Sequence, residues 1–153
     1  MLDKNGIAAR LLLADTRAKE QMDRLKAMDS PSLTDYETCI HRYVLAKFLL
    51  DDEPNVSTQD LNELASLSVR KAHRLKPAGN ERDMLDISGR CGSVSSAAAK
   101  KVLLLVALQK EMEIDLTSVD TAYIETTGHL AQTVMQLRNE KKVDERPGSA
   151  ENS

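Results

Sequence analysis

The chain has no tryptophan and one phenylalanine, and aromatic residues make up 3 % of its 153 positions. Its core must therefore be aliphatic. That suits helices better than sheets, because strands favour aromatic and β-branched side chains. Cysteine is scarce too: Cys39 and Cys91 stand far apart, without metal-ligand spacing. Free thiols in a cytoplasmic, reducing setting are expected rather than a disulfide. No apolar run approaches the length of a membrane span, so no membrane insertion is expected. The N-terminus carries Asp3 and Asp15 and lacks an apolar stretch followed by a small-residue cleavage site, so no signal peptide is expected. Excess positive charge is missing as well, with a net charge of -3. A nucleic-acid partner, which needs a basic patch, is not expected. The three histidines, His41, His73 and His129, are scattered as surface or boundary residues. No constellation pairs a base with a nucleophile, which points away from an enzyme.

What the chain does have is helical periodicity and clear punctuation. Ile7, Leu11, Ala14, Ala18, Met22 and Leu25 recur every three or four residues and predict a first helix, which Pro31 cannot continue. Thr34 and Glu37 fit a capping box for a second helix reaching about Leu50, with the stripe Ile40, Tyr43, Val44, Lys47 and Phe48. The two helices can fold back as a hairpin. An acidic, proline-containing boundary follows at residues 51–55. Ser57, with Asp60 three residues on, opens a third helix through Leu61, Leu64, Ala65, Leu67, Ser68 and Ala72. Arg70, Lys71, His73, Arg74 and Lys76 gather at its C-terminal end, where cations complement the helix dipole. Pro77 and Gly79 stop it, and residues 80–87 hold one further turn. Thr117 or Ser118 caps a short helix that includes Val119, Ala122, Tyr123 and Ile124. Thr127 caps a last one through Leu130, Ala131, Val134 and Leu137. From Lys141 the chain is polar and reads as a disordered tail.

The most distinctive stretch runs from Ser88 to Met112. Gly89 and Gly92 loosen a turn in which Ser93, Ser95 and Ser96 are candidate N-caps. Ala97, Ala98 and Ala99 then favour a helix. From Val102 to Leu108 seven apolar residues follow one another, so little of this helix is expected to face water. Cys91 sits near a helix N-terminus, a setting that lowers a thiol pKa, but a lone cysteine without a base makes no active site. The run from Gly92 to Lys100 lacks the second glycine before the lysine and the Ser/Thr after it, and no strand precedes it, which excludes a phosphate-binding loop for nucleotides.

The segment from Ala107 to Val134 resembles the C-terminal half of an acyl carrier protein. Ala107-Leu108, Glu111-Met112, Leu116-Thr117, Ile124 and Thr126-Thr127 fall without a gap into that family's order: end of second helix, loop, short third helix, Thr-Thr turn and final amphipathic helix. Residues 57–75 then correspond to its first helix, and 76–94 to its long crossing loop, where Asp86-Ile87 resembles the acidic-Leu pair before a glycine. The resemblance implies an all-α fold, an acyl-carrier-like four-helix bundle at 56–140, preceded by a helical hairpin at 1–55 and followed by a tail at 141–153. It implies a non-enzymatic carrier with a 4′-phosphopantetheine arm on a serine at the start of the central helix. Its partners would be a phosphopantetheinyl transferase and acyl- or aminoacyl-transferring enzymes of lipid or secondary-metabolite biosynthesis. The carrier needs no base of its own, only an exposed serine where free N–H groups and the positive end of the dipole meet a phosphodiester.

The pattern departs from the family at that serine. Carried back through the helix, the alignment puts Ala98 at the serine's position. Ser95 lies one turn earlier and in phase, Ser96 is next, and neither follows an aspartate. Ser95 and, second, Ser96 are the candidate attachment residues. Lys100 and Lys101 replace the acidic residues by which that family's helix usually docks. The alternative is a helical adaptor that uses a carrier-like fold for protein contact alone. The hairpin is open to three roles: covering the carrier surface, forming a dimer interface, or docking onto a synthetase.

Overall fold

The computed structural model describes residues 4–75 and 96–145. Its elements are α1 (Lys4–Ala27), α2 (Leu33–Lys47), α3 (Leu61–Leu75), α4 (Ala97–Met112), α5 (Ser118–Tyr123) and α6 (Thr127–Glu145). Among the described residues the fold is all-α, as the aliphatic composition predicts. The extended backbone contributes one isolated antiparallel bridge, Asp60 to Thr126.

The α1 stripe behaves as its spacing predicts: Leu11, Ala14, Ala18, Met22 and Leu25 are all buried, and α1 packs along α2. The start of α2 differs from the expectation. Its cap is Ser32, not Thr34: Ser32 Oγ accepts from Asp35 N–H at 3.2 Å, and Asp35 Oδ2 accepts from Ser32 N–H at 2.9 Å. The earlier start keeps Leu33 and Thr34 inside the hydrogen-bonded ladder.

The far end of α2 also differs. The helix stops at Lys47, Phe48 caps it, and Leu49 takes φ 60. Leu50 N–H then returns to Leu45 O at 2.7 Å, which closes a helix-ending turn normally made with glycine. A left-handed leucine costs about 1–2 kcal/mol. The turn compensates by burying Phe48, Leu49 and Leu50. It is also gripped from α3, where Ser68 Oγ donates to Phe48 O at 2.7 Å and Lys71 Nζ donates to Leu49 O at 2.6 Å. Lys71 is only 5 % exposed, and its ammonium also pairs with Asp52 and, at 3.0 Å, with Glu53. Its sequence position suggests one of a group of cations that complement a helix dipole. It is instead a buried tertiary contact, because residues 51–53 fold over the end of α3.

α3 begins at Leu61 rather than Ser57. Asp60 Oδ1 accepts from Glu63 N–H at 2.9 Å and serves as its cap. The preceding residues stay extended because their backbone is committed elsewhere. Thr127 N–H donates to Gln59 O at 2.8 Å, and Leu61 N–H donates to Glu125 O at 2.9 Å. The start of α3 is thereby stapled to the start of α6.

In α4 the buried positions are Lys100, Leu104, Leu105, Leu108 and Met112. Lys100 falls in phase with Leu104, Leu108 and Met112 at four-residue spacing, which carries this lysine inside with its stripe. Val102 and Val106 are exposed, so the expectation that little of this helix faces water does not hold. α4 packs on α3 and touches α1, which leaves its outer side uncovered by those helices. α5 opens as expected at Thr117, with a full capping box to Asp120. α6 is capped by Thr126, whose Oγ1 accepts from His129 N–H at 3.0 Å, one residue before the expected Thr127. α6 continues to Glu145, into the stretch expected to be a disordered tail, and Lys141 Nζ donates to Glu113 O at 2.8 Å. That contact gives the polar helix end a partner.

One continuous core takes side chains from α1, α2, α3, α4 and α6. The N-terminal hairpin thus shares its apolar interior with the later helices. Two stability outcomes are expected. Lys71→Ala should lower the unfolding free energy by roughly 2 kcal/mol, since it strands the buried Leu49 carbonyl and removes the cation that pairs with Asp52 and Glu53. Glu113→Gly should raise it by about 1 kcal/mol, because exposed Glu113 holds φ 55 at the end of α4 and glycine relieves that strain. Urea denaturation followed by circular dichroism measures both.

Candidate attachment site at the start of α4

Ser96 is the N-cap of α4. Its backbone is extended (φ -110, ψ 135), and its Oγ accepts from Ala99 N–H at 3.3 Å. The side chain is exposed, and no acidic residue stands in the first turn to neutralise the helix N-terminus. The positive end of the dipole and the free amides of the first turn therefore surround a solvent-accessible hydroxyl. Capping uses a lone pair of Oγ, not its proton, so the oxygen can carry a phosphodiester and keep its bond to Ala99. Ala98, to which the expected resemblance assigns the serine's place, is exposed beside it, and Ala97 rests on the core.

Ser95, the first candidate, lies outside the described residues, as do Ser93, Cys91 and the turn expected at 80–87. Lys100 and Lys101 together would give the helix an unfavourable surface charge for docking. Lys100, however, is 0 % exposed and is not part of that surface; the buried phase of α4 removes it. Lys101 is half-buried.

Several other titratable groups belong to structural junctions or to the core. His41 Nδ1 lies 3.1 Å from Thr127 Oγ1, joining α2 to the start of α6. Burial pushes the His41 pKa below its ordinary value. Thr127 is buried, so the pair is no accessible nucleophile and base. Burial likewise raises the Cys39 pKa, and this thiol sits in the core as an inert small apolar group. Arg138 donates to Tyr36 Oη at 3.2 Å, and its guanidinium lies 5.9 Å from the centre of that ring, which ties α6 to α2. A cavity of about 230 Å³ opens between α1 and the turn after α2. Its lining includes the ion pairs Arg10–Asp52 (3.1 Å) and Arg17–Asp51 (2.8 Å). Among the described residues no three His, Cys, Asp or Glu side chains gather to hold a metal, and no helix is long and apolar enough to cross a membrane.

Sequence reasoning misses the His41–Thr127 and Arg138–Tyr36 pairs, which join residues 86 and 102 positions apart. No local pattern encodes such distances. Compared with known proteins, the chain matches no family model, no curated protein and no solved structure.

The His41 junction has a pH consequence. Because the folded pKa is depressed, the unfolded chain takes up the proton first. Stability should therefore be full above the ordinary histidine value of about 6.5 and fall as pH drops through it. Urea midpoints at stepped pH should show this loss, and His41→Gln should flatten the part of the slope that His41 contributes.

Proposed function

We propose that the protein is an atypical acyl or peptidyl carrier that bears a 4′-phosphopantetheine arm on Ser95 or Ser96. The observation that supports it is the Ser96 hydroxyl, exposed at the N-terminus of a core helix with no acid in its first turn. The order of the described elements also supports it: α3, then the central helix α4, the short capped helix α5 and the final helix α6. The arm, when bound, supplies a thiol for thioester chemistry. The chain's own share is limited. Ser96 Oγ offers the attachment oxygen, the first-turn amides of α4 meet the negative charge, and the α4 stripe anchors the helix in the core. Deprotonation of the serine falls to the transferase, which fits a site without a base.

Ala98 favours a second reading in which the same fold serves as an adaptor without an arm. It occupies the family's serine position, and the exposed Val102 and Val106 extend below it at four-residue spacing. The two readings separate by mass spectrometry of the intact protein after incubation with coenzyme A and a broad-specificity phosphopantetheinyl transferase. The carrier reading expects one added arm, lost in Ser95→Ala/Ser96→Ala. No added mass with several such transferases, and none on protein from its native host, contradicts it. Installing Ala98→Ser in the double variant then tests the adaptor: if only that protein accepts the arm, the fold is a carrier's and the attachment point has been lost.

A further inference from the structure

The outer side of α1 carries large apolar groups that the described residues leave half or more in solvent. Leu12 is 63 % exposed and Leu13 50 %. At 3.6 residues per turn, Ala9, Leu12, Leu13 and Thr16 fall within an arc of about 100°, facing away from the core stripe of Leu11, Ala14, Ala18 and Met22. Ala9 and Thr16 are exposed with the two leucines. Thr16 satisfies its hydroxyl within the helix, donating to Leu12 O at 3.0 Å, so it adds little polarity to the ridge. Leu13 also lines the cavity beside Arg10 and Arg17, and the rest of its side chain stays in solvent. Arg10 and Arg17 are drawn sideways onto Asp52 and Asp51 of the protein's own turn.

We propose that this ridge is the contact surface for a second copy of the chain, with the two α1 helices antiparallel about a two-fold axis between Leu12 and Leu13. Such an axis sets residue i opposite residue 25 − i. Leu12 then meets the partner's Leu13 twice over, and Ala9 faces the partner's Thr16, where small side chains allow a close approach. Charge selects this direction. The first turn of α1 has no acidic residue, and the antiparallel arrangement brings the exposed Glu20 against that turn's positive dipole end. A parallel pair would set Glu20 against Glu20. The contact spans about 20 Å of helix, short of the area in permanent dimers, so the association is reversible and depends on concentration. It holds whether or not the chain carries an arm.

Sedimentation equilibrium of the full chain tests it. From micromolar to millimolar protein, the weight-average mass should climb from 16.9 kDa towards twice that value. Leu12→Glu/Leu13→Glu, a surface change that should leave the helical circular dichroism signal intact, should remain monomeric throughout. A direction test uses Cys91→Ser chains, with Cys39 buried. Mixing Ala9→Cys with Thr16→Cys chains under oxidation should give mainly the mixed disulfide, since bridging requires Cβ atoms within about 4.5 Å. A monomer at millimolar concentration, a dimer that survives the Leu→Glu changes, or mainly Ala9→Cys homodisulfides would each overturn the proposal.

Discussion

The fold depends on how α3 holds the end of α2. Leu49 ends that helix in a left-handed conformation that a branched side chain adopts only under constraint, and the constraint comes from Ser68 and Lys71. Their bonds to the carbonyls of Phe48 and Leu49 fix the turn. The same ammonium fixes the acidic segment beyond the turn by holding Asp52 and Glu53. Hydrogen bonding from Lys71 lowers the Asp52 pKa, and Arg10 adds to that effect. Through Asp52 the network reaches Arg10 of α1, and the neighbouring Asp51 pairs separately with Arg17. One buried cation thus links three helices. An uncompensated charge at that depth would be strongly unfavourable, so the carbonyl and both carboxylates belong to one arrangement.

A second junction secures the other elements. The start of α3 and the start of α6 exchange backbone hydrogen bonds, and His41 of α2 reaches Thr127 beside them. With both ends of α3 committed, α4 packs on α3 with the phase of Lys100, Leu104, Leu108 and Met112 turned inward. The same phase sets Ala98 and Val102 outward, and Ser96 at the exposed head of the helix. The chemical setting of the candidate serine therefore follows from packing far from it.

Much of this is legible in sequence wherever the rule is local. The stripes of α1 and α3, the Thr117 capping box and the all-α class follow from spacing and cap chemistry within a few residues. Ser96 is legible as an N-cap for the same reason. The departures are decided by tertiary partners. Ser32 competes with Thr34 for the cap of α2, and both patterns satisfy the rule. Residues 57–60 have a helix-start signature, but Gln59 gives its carbonyl to the first residue of α6 and Asp60 bridges to Thr126. Lys71 and Lys100 look like surface cations because lysine usually is one, and only the packed neighbours reveal them as buried. The run from Val102 to Leu108 looks buried all round, yet two of its valines face solvent because the helices that pack on α4 cover only part of it.

The central physical claim is that the N-terminal hairpin and the later helices form one cooperative unit, joined by a shared core and by the Lys71 and His41 junctions. Native-state hydrogen exchange measures this directly. The most protected amides of α1 and α2 should open with the same free energy as those of α3, α4 and α6, and with the same dependence on denaturant. If the α1 and α2 amides instead exchange through a separate opening at much lower free energy, while α3, α4 and α6 stay protected, the hairpin is an independent appendage and the account is wrong.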